Sequence, residues 1–197
     1  GVALIFVSEG AEAKSAVWSY QTGDQWSDGV VVDISGDGEY IAVGSYGDEV
    51  HLFKSTSGSP LWTYDLEEGV SAIGISSDGE YLVAGGESGD IAFFDRDSNS
   101  PLWSGSGSYA VNDIDISSDG SCVVWGAGRV VDSRTGAGSS SCNFGKNFGE
   151  YHDVGSVALS ADGEYAVVGV EYTNSDDSST DKVYFFRTNS STPLWSY

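Results

Sequence analysis

"ISSDGEYLVAGG", residues 75–86, decides the fold, because the chain writes it four times with small changes. The copies are "VVVDISGDGEYIAVGS" from Val30, "VSAIGISSDGEYLVAGG" from Val70, "VNDIDISSDGSCVVWGA" from Val111 and "VGSVALSADGEYAVVGV" from Val154. Their turn aspartates, Asp37, Asp78, Asp119 and Asp162, stand 41, 41 and 43 residues apart. A period in the forties marks an array of stacked repeats. The pattern inside each unit excludes helices, since short apolar or alternating runs are broken by turn dipeptides.

Each unit reads as four strands, taken from the second copy as a, "VSAIGIS"; b, "YLVAGG"; c, "IAFFDR"; and d, "PLWSG". Asp-Gly between a and b supplies the positive φ that a tight hairpin needs. In the other units, strand c returns as "VHLFKS" and "VYFFRT", and strand d as "PLWTY" and "PLWSY". Trp62 and Trp103 are 41 residues apart, Phe144 lies another 41 on, Trp195 closes the last unit and Trp18 opens the chain. An aromatic at one register in every unit is architectural: Trp18, Trp62, Trp103, Phe144 and Trp195 are expected to fill the widening wedge between neighbouring sheets. A lone four-stranded sheet leaves both faces open, and stacking copies around an axis covers them.

The "ISSDGEYLVAGG" hairpins and "FFDRDSNSPLWS" segments resemble the WD-repeat-like β-propellers. The "FFDRDSNSPLWS" segments, with "DSRTG" at 132–136, also resemble the pyrroloquinoline-quinone-type repeat, and the whole pattern is similar to looser repeats of microbial, archaeal proteins. The resemblance implies an all-β propeller of four-stranded antiparallel blades. The Gly-His and Trp-Asp dipeptides of the WD-repeat family are absent. The chain divides into full repeats at about 21–66, 67–107, 108–147 and 148–197, after a half-blade at 1–20 that matches only strands c and d. Four and a half units do not close neatly. The chain is expected to be a fragment of a larger ring or a small irregular one, with completion by another chain as the alternative.

Thirty acidic against eight basic residues give a net charge of −22. Such a surface repels phosphate backbones and anionic headgroups, which excludes nucleic acid and membrane surfaces as partners. It suits either a salt-rich habitat, including the cytoplasm of a halophile, or an acidic secreted protein. No run reaches the eighteen apolar residues of a membrane helix. "GVALIFV" at the front reads as a strand, and Gly1 is not a natural initiator.

Few residues are left over for chemistry. Cys122 and Cys142 fall in the degenerate third unit; plain strand spacing sets them too far apart for a bridge, about 10 Å. The expanded loop "DSRTGAGSSSCNF" lets the chain fold back, so a disulfide and an oxidising compartment are expected. Asn174, Asp176, Asp177 and Asp181 offer oxygen ligands suited to calcium, against the reading of a solvated acidic loop. His51 reads as a satisfied sheet residue and His152 as a loop residue near the channel; the two form no zinc pair. Asn189-Ser190-Ser191 fits a glycosylation acceptor. No nucleophile triad, phosphate loop or paired-carboxylate site is present, so no cofactor is expected. The expected function is a non-enzymatic propeller that binds protein or glycan, extracellular or at the cell surface. A self-assembling structural subunit is the alternative. A quinoprotein-like enzyme is disfavoured by the scarcity of basic residues.

Overall fold

The computed structural model describes residues 2–4, 16–22, 29–137, 142–172 and 180–197, and every regular element among them is a strand. β1 (Val2–Leu4) and β2 (Ser19–Gln21) form an antiparallel pair. The first full sheet holds β3 (Val30–Ile34), β4 (Tyr40–Ser45), β5 (Glu49–Lys54) and β6 (Pro60–Asp65). The second holds β7 (Val70–Ile75), β8 (Tyr81–Gly86), β9 (Asp90–Asp95) and β10 (Trp103–Ser106). The third holds β11 (Val111–Ile116), β12 (Cys122–Ala127), β13 (Val130–Thr135) and β14 (Gly145–Asn147). The fourth holds β15 (His152–Leu159), β16 (Tyr165–Tyr172), β17 (Lys182–Arg187) and β18 (Trp195–Ser196). In each full sheet every strand lies antiparallel beside the next in sequence.

The repeated dodecapeptide is a hydrogen-bond relay around a turn. Gly38, Gly79, Gly120 and Gly163 take φ of 73, 66, 67 and 70°, the left-handed region that glycine enters without steric cost. The preceding aspartate accepts from the serine hydroxyl two residues back, at 2.6 Å for Ser35–Asp37, Ser76–Asp78 and Ser160–Asp162 and 2.9 Å for Ser117–Asp119. The same oxygen accepts an N–H two residues on, as from Glu39 and Glu164. The serine oxygen then accepts the N–H that starts the second strand, as from Tyr40 and Tyr81. The Ser35 and Ser160 hydroxyls, then these N–H groups, hold Asp37 and Asp162 below the usual carboxyl range.

The first strands pack in series, β3 on β7, β7 on β11 and β11 on β15, so they line the axis and the sheets fan outward. An innermost strand is an edge, and its free N–H groups need acceptors. Asp33 Oδ2 accepts from Ile75 N at 2.9 Å, Asp113 Oδ2 from Val157 N at 2.8 Å and Asp115 Oδ2 from Leu159 N at 2.6 Å. Carboxylates in mid-strand thus bolt one sheet to the next. Burial, then Asp113 and Asp33, raise the Asp115 carboxyl.

Apolar clusters fill the wedges: Ala42, Leu82 and Phe94 between sheets one and two; Val83, Phe93 and Val123 between two and three; Val124, Phe144 and Phe186 between three and four. β2 docks on sheet one through Trp18, stacked on Phe53 at 5.3 Å with its indole N–H donated to Ser55 O at 2.8 Å. The described residues form an open, partial β-propeller with no closed barrel. One aromatic departs from the expected wedge. Trp195 is 50% exposed, because no described sheet packs on the far face of sheet four.

Candidate functional site

The strand registers place equivalent residues at each seam. Facing the next sheet are Tyr40, Leu52 and Trp62 in sheet one, Tyr81, Phe93 and Trp103 in two, Cys122, Ser133 and Phe144 in three, and Tyr165, Phe185 and Trp195 in four. In sheet two they form a continuous stack, Tyr81–Phe93 at 5.5 Å and Phe93–Trp103 at 5.1 Å. Sheet four repeats it, Tyr165–Phe185 at 5.3 Å and Phe185–Trp195 at 5.4 Å, with Arg187 over Tyr165. Sheet three covers the first stack. The second lies open beside exposed Val167 and Val183.

Sheet three breaks the pattern with a disulfide. Cys122 and Cys142 are bonded with Cα atoms 5.4 Å apart. Plain strand spacing overestimates the distance because Cys142 precedes β14 and lies against Thr135 at the end of β13. Gly136 N and Ala137 N donate to Ser121 O and Gly120 O, and Thr135 Oγ1 donates to Cys142 O at 3.1 Å.

The seam between sheets one and two is filled. Phe94 lies 5.4 Å from Trp62 and 4.9 Å from Tyr64, and Trp62 donates its indole N–H to Arg96 O at 2.7 Å. The Arg96 guanidinium sits 4.7 Å above Tyr40. At the next seam the same register positions carry other residues: Gly105 for Tyr64, Arg134 for Phe94, Asp132 for Ala92 and Trp125 for Ala84. Two rings have left, and an indole and a polar pair have entered. The result is a cleft of about 270 Å³ lined by Trp103, Gly105, Tyr109, Trp125, Asp132 and Arg134. Trp103 and Trp125 stand 6.4 Å apart at 37°, and Arg134 covers the Trp103 ring at 4.5 Å. The Trp103 indole N–H, bonded at the equivalent position in Trp62, is buried with no partner among the described residues. Asp132 accepts from Ser133 N, and burial pushes its carboxyl up.

A second, shallower hollow of about 620 Å³ includes Tyr109, Arg129, Tyr151, His152 and Asp153. His152 opens β15 here, its Nδ1 3.0 Å from Glu150 O and its ring 4.6 Å from Tyr172. His51 is fully buried, with Nδ1 2.9 Å from Thr63 Oγ1, and burial lowers its pKa against the pull of Glu49. Of the calcium candidates, Asn174, Asp176 and Asp177 fall outside the described residues; Asp181 is exposed ahead of β17. Among the described residues no three His, Cys, Asp or Glu are grouped to hold a metal. No helix is long and apolar enough to cross a membrane.

Neither the cleft nor the aspartate bolts were singled out from sequence. The signals were there: Trp125 and Asp132 interrupt strands that are small and apolar in the preceding unit, and Asp33, Asp113 and Asp115 interrupt inner strands.

Residues 10–141 match the pyrroloquinoline-quinone-type repeat family described as outer membrane protein assembly factor BamB. The chain belongs to this repeat family. Solved structures agree on the fold of this BamB-type repeat chain. A Kuenenia stuttgartiensis hydrazine synthase chain is similar with a TM-score of 0.66 at 15% identity, over 84% of this chain and 47% of that one. A chain of a mitotic checkpoint complex is similar with a TM-score of 0.71 at 22% identity, over 93% of this chain and 56% of that one. The BamB-type repeats thus span about half the length of these solved chains. At such identities the likeness concerns architecture alone. No curated protein sequence matches the chain.

Proposed function

We propose that the chain is a non-enzymatic propeller scaffold that binds protein or glycan partners outside the cell or at its surface. The carrying observation is the propeller of BamB-type repeats, whose described sheets leave one aromatic face of sheet four uncovered. Its Tyr165–Phe185–Trp195 stack duplicates the Tyr81–Phe93–Trp103 stack that sheet three covers, and Trp195 is half exposed. Exposed aromatic faces of this kind, rimmed by polar residues, are interaction surfaces. A partner that presents a guanidinium would cover this stack as Arg134 covers Trp103. The Cys122–Cys142 bond supports an oxidising compartment. Self-assembly through the same face is the second reading, supported by exposed Val32 and Ile34 on β3 at the other end of the series.

Photocrosslinking from position 183 in native cells tests this. The captured protein, once purified, is expected to bind wild type at least about tenfold better than Val183→Asp. Equal binding by the two overturns the reading. Capture of a second copy, with assembly that grows as salt screens the −22 charge, selects the structural alternative.

A further inference from the structure

The geometry points to the cleft between sheets two and three as a binding site for one ring of a neutral saccharide. This deepens the scaffold reading by naming a ligand class and a place, on a surface separate from the sheet-four face.

The repeats show that the cleft is not a packing necessity. The neighbouring seam closes the same space with Tyr64 and Phe94 on an identical strand framework. At the cleft those positions are Gly105 and Arg134, and a Cβ built on Gly105 meets only Ile91, at an ordinary 3.6 Å. Nothing in the backbone keeps a side chain out. A carboxylate in place of Ala92, half buried and pushed toward its neutral form, is an unfavourable feature for a seam whose task is adhesion. That cost, beside added space, fits a ligand that relieves it.

The donor and acceptor set selects the ligand. Asp132 accepts, while the Arg134 guanidinium donates. Hydroxyl groups do both, so a polyol satisfies the two. A cation would meet Arg134. An anion would meet Asp132. The Asp132 and Arg134 charges cancel, which favours a neutral ring. Trp125 supplies an apolar surface for the C–H face of a pyranose, since Phe93 and Arg134 already occupy the faces of Trp103. About 270 Å³ lies just below the ~300–1,000 Å³ of ordinary ligand pockets and admits a single ring, not a peptide segment.

The test uses the neutral disaccharides maltose, cellobiose, lactose and diacetylchitobiose, followed by saturation-transfer NMR and tryptophan fluorescence. At least one is expected to bind the wild-type chain. Gly105→Tyr, which restores the tyrosine of the neighbouring seam, is expected to abolish binding while raising the melting temperature. Asp132→Asn keeps the shape and is expected to weaken binding about tenfold with the fold intact. No binding by wild type, or undiminished binding by Gly105→Tyr, overturns the site. Preference for tetramethylammonium or glucuronate over every neutral sugar overturns the ligand class. Crosslinking from position 183 is expected to be indifferent to Gly105→Tyr, so failure of the cleft and failure of the scaffold reading are told apart.

Discussion

The two seams that flank sheet two share a backbone plan and differ in what fills them. On one side, Trp62, Tyr64 and Phe94 interlock and the indole N–H is bonded. On the other, Gly105, Asp132 and Arg134 leave a cleft, and the equivalent indole N–H has no partner among the described residues. The difference teaches that the ladder and the turn relay build each sheet, while a handful of inter-sheet side chains decide whether a seam is adhesive or receptive. Gly105, Arg134, Asp132 and Trp125 of the one seam stand where Tyr64, Phe94, Ala92 and Ala84 stand in the other.

The largest expected break in this comparison is truncation at one register in both seams. Phe94→Ala should cost ~3–5 kcal/mol, the range for a fully buried ring. Arg134→Ala, at an exposed cation–π contact, should cost about 1 kcal/mol or less. Denaturant unfolding of both variants measures the gap; equal costs would mean that the seams carry equal load. Next comes the third sheet, where Cys122, bonded to Cys142, stands in place of the stack tyrosine. Changing both to serine should cost ~3 kcal/mol, as expected for opening a loop of this size.

Smaller effects separate the seams by acid. His51 packs beneath Tyr20 in the seam of β2 with sheet one, and burial lowers its pKa. The unfolded chain therefore takes up a proton first, below about pH 6.5, and stability falls there. His51→Gln should flatten that limb of the melting profile. Asp132 has the opposite sign. Its carboxyl is raised by burial, so the native state holds the proton longer, and stability rises as pH falls through its native pKa. Asp132→Asn should raise the melting temperature at neutral pH and lose that advantage below the ordinary carboxyl range. A constant advantage at all pH values would mean that the charge of Asp132 is not what weakens the seam.

Much of the fold was legible because its causes are local. Ser76, Asp78, Gly79 and Tyr81 close their turn among themselves, so the motif names its own hairpin. The aromatics of strand d were legible as wedges by periodicity, and Trp62 and Trp103 occupy wedges. Trp195 recurs at the same register, yet its surroundings depend on a neighbouring sheet that no strand pattern supplies. The Cys122–Cys142 bond was expected from the expanded loop and not from strand spacing, because which two strand ends meet is not a register property. The cleft was missed because repetition draws the eye to what recurs, whereas Gly105, Trp125, Asp132 and Arg134 matter as departures.

By itself the amino-acid order determined the strand count per unit, the turn chemistry, the repeat frame and the acidic surface, since each rests on contacts within some dozen residues or on composition. Only the tertiary structure decided which face each strand turns toward which neighbour. That choice brings Asp33 to Ile75, Arg134 to Trp103 and Gly105 opposite Asp132, and it leaves one aromatic stack covered and its duplicate bare. Burial and cavity volume belong to pairs of surfaces, and a linear order states only one surface at a time.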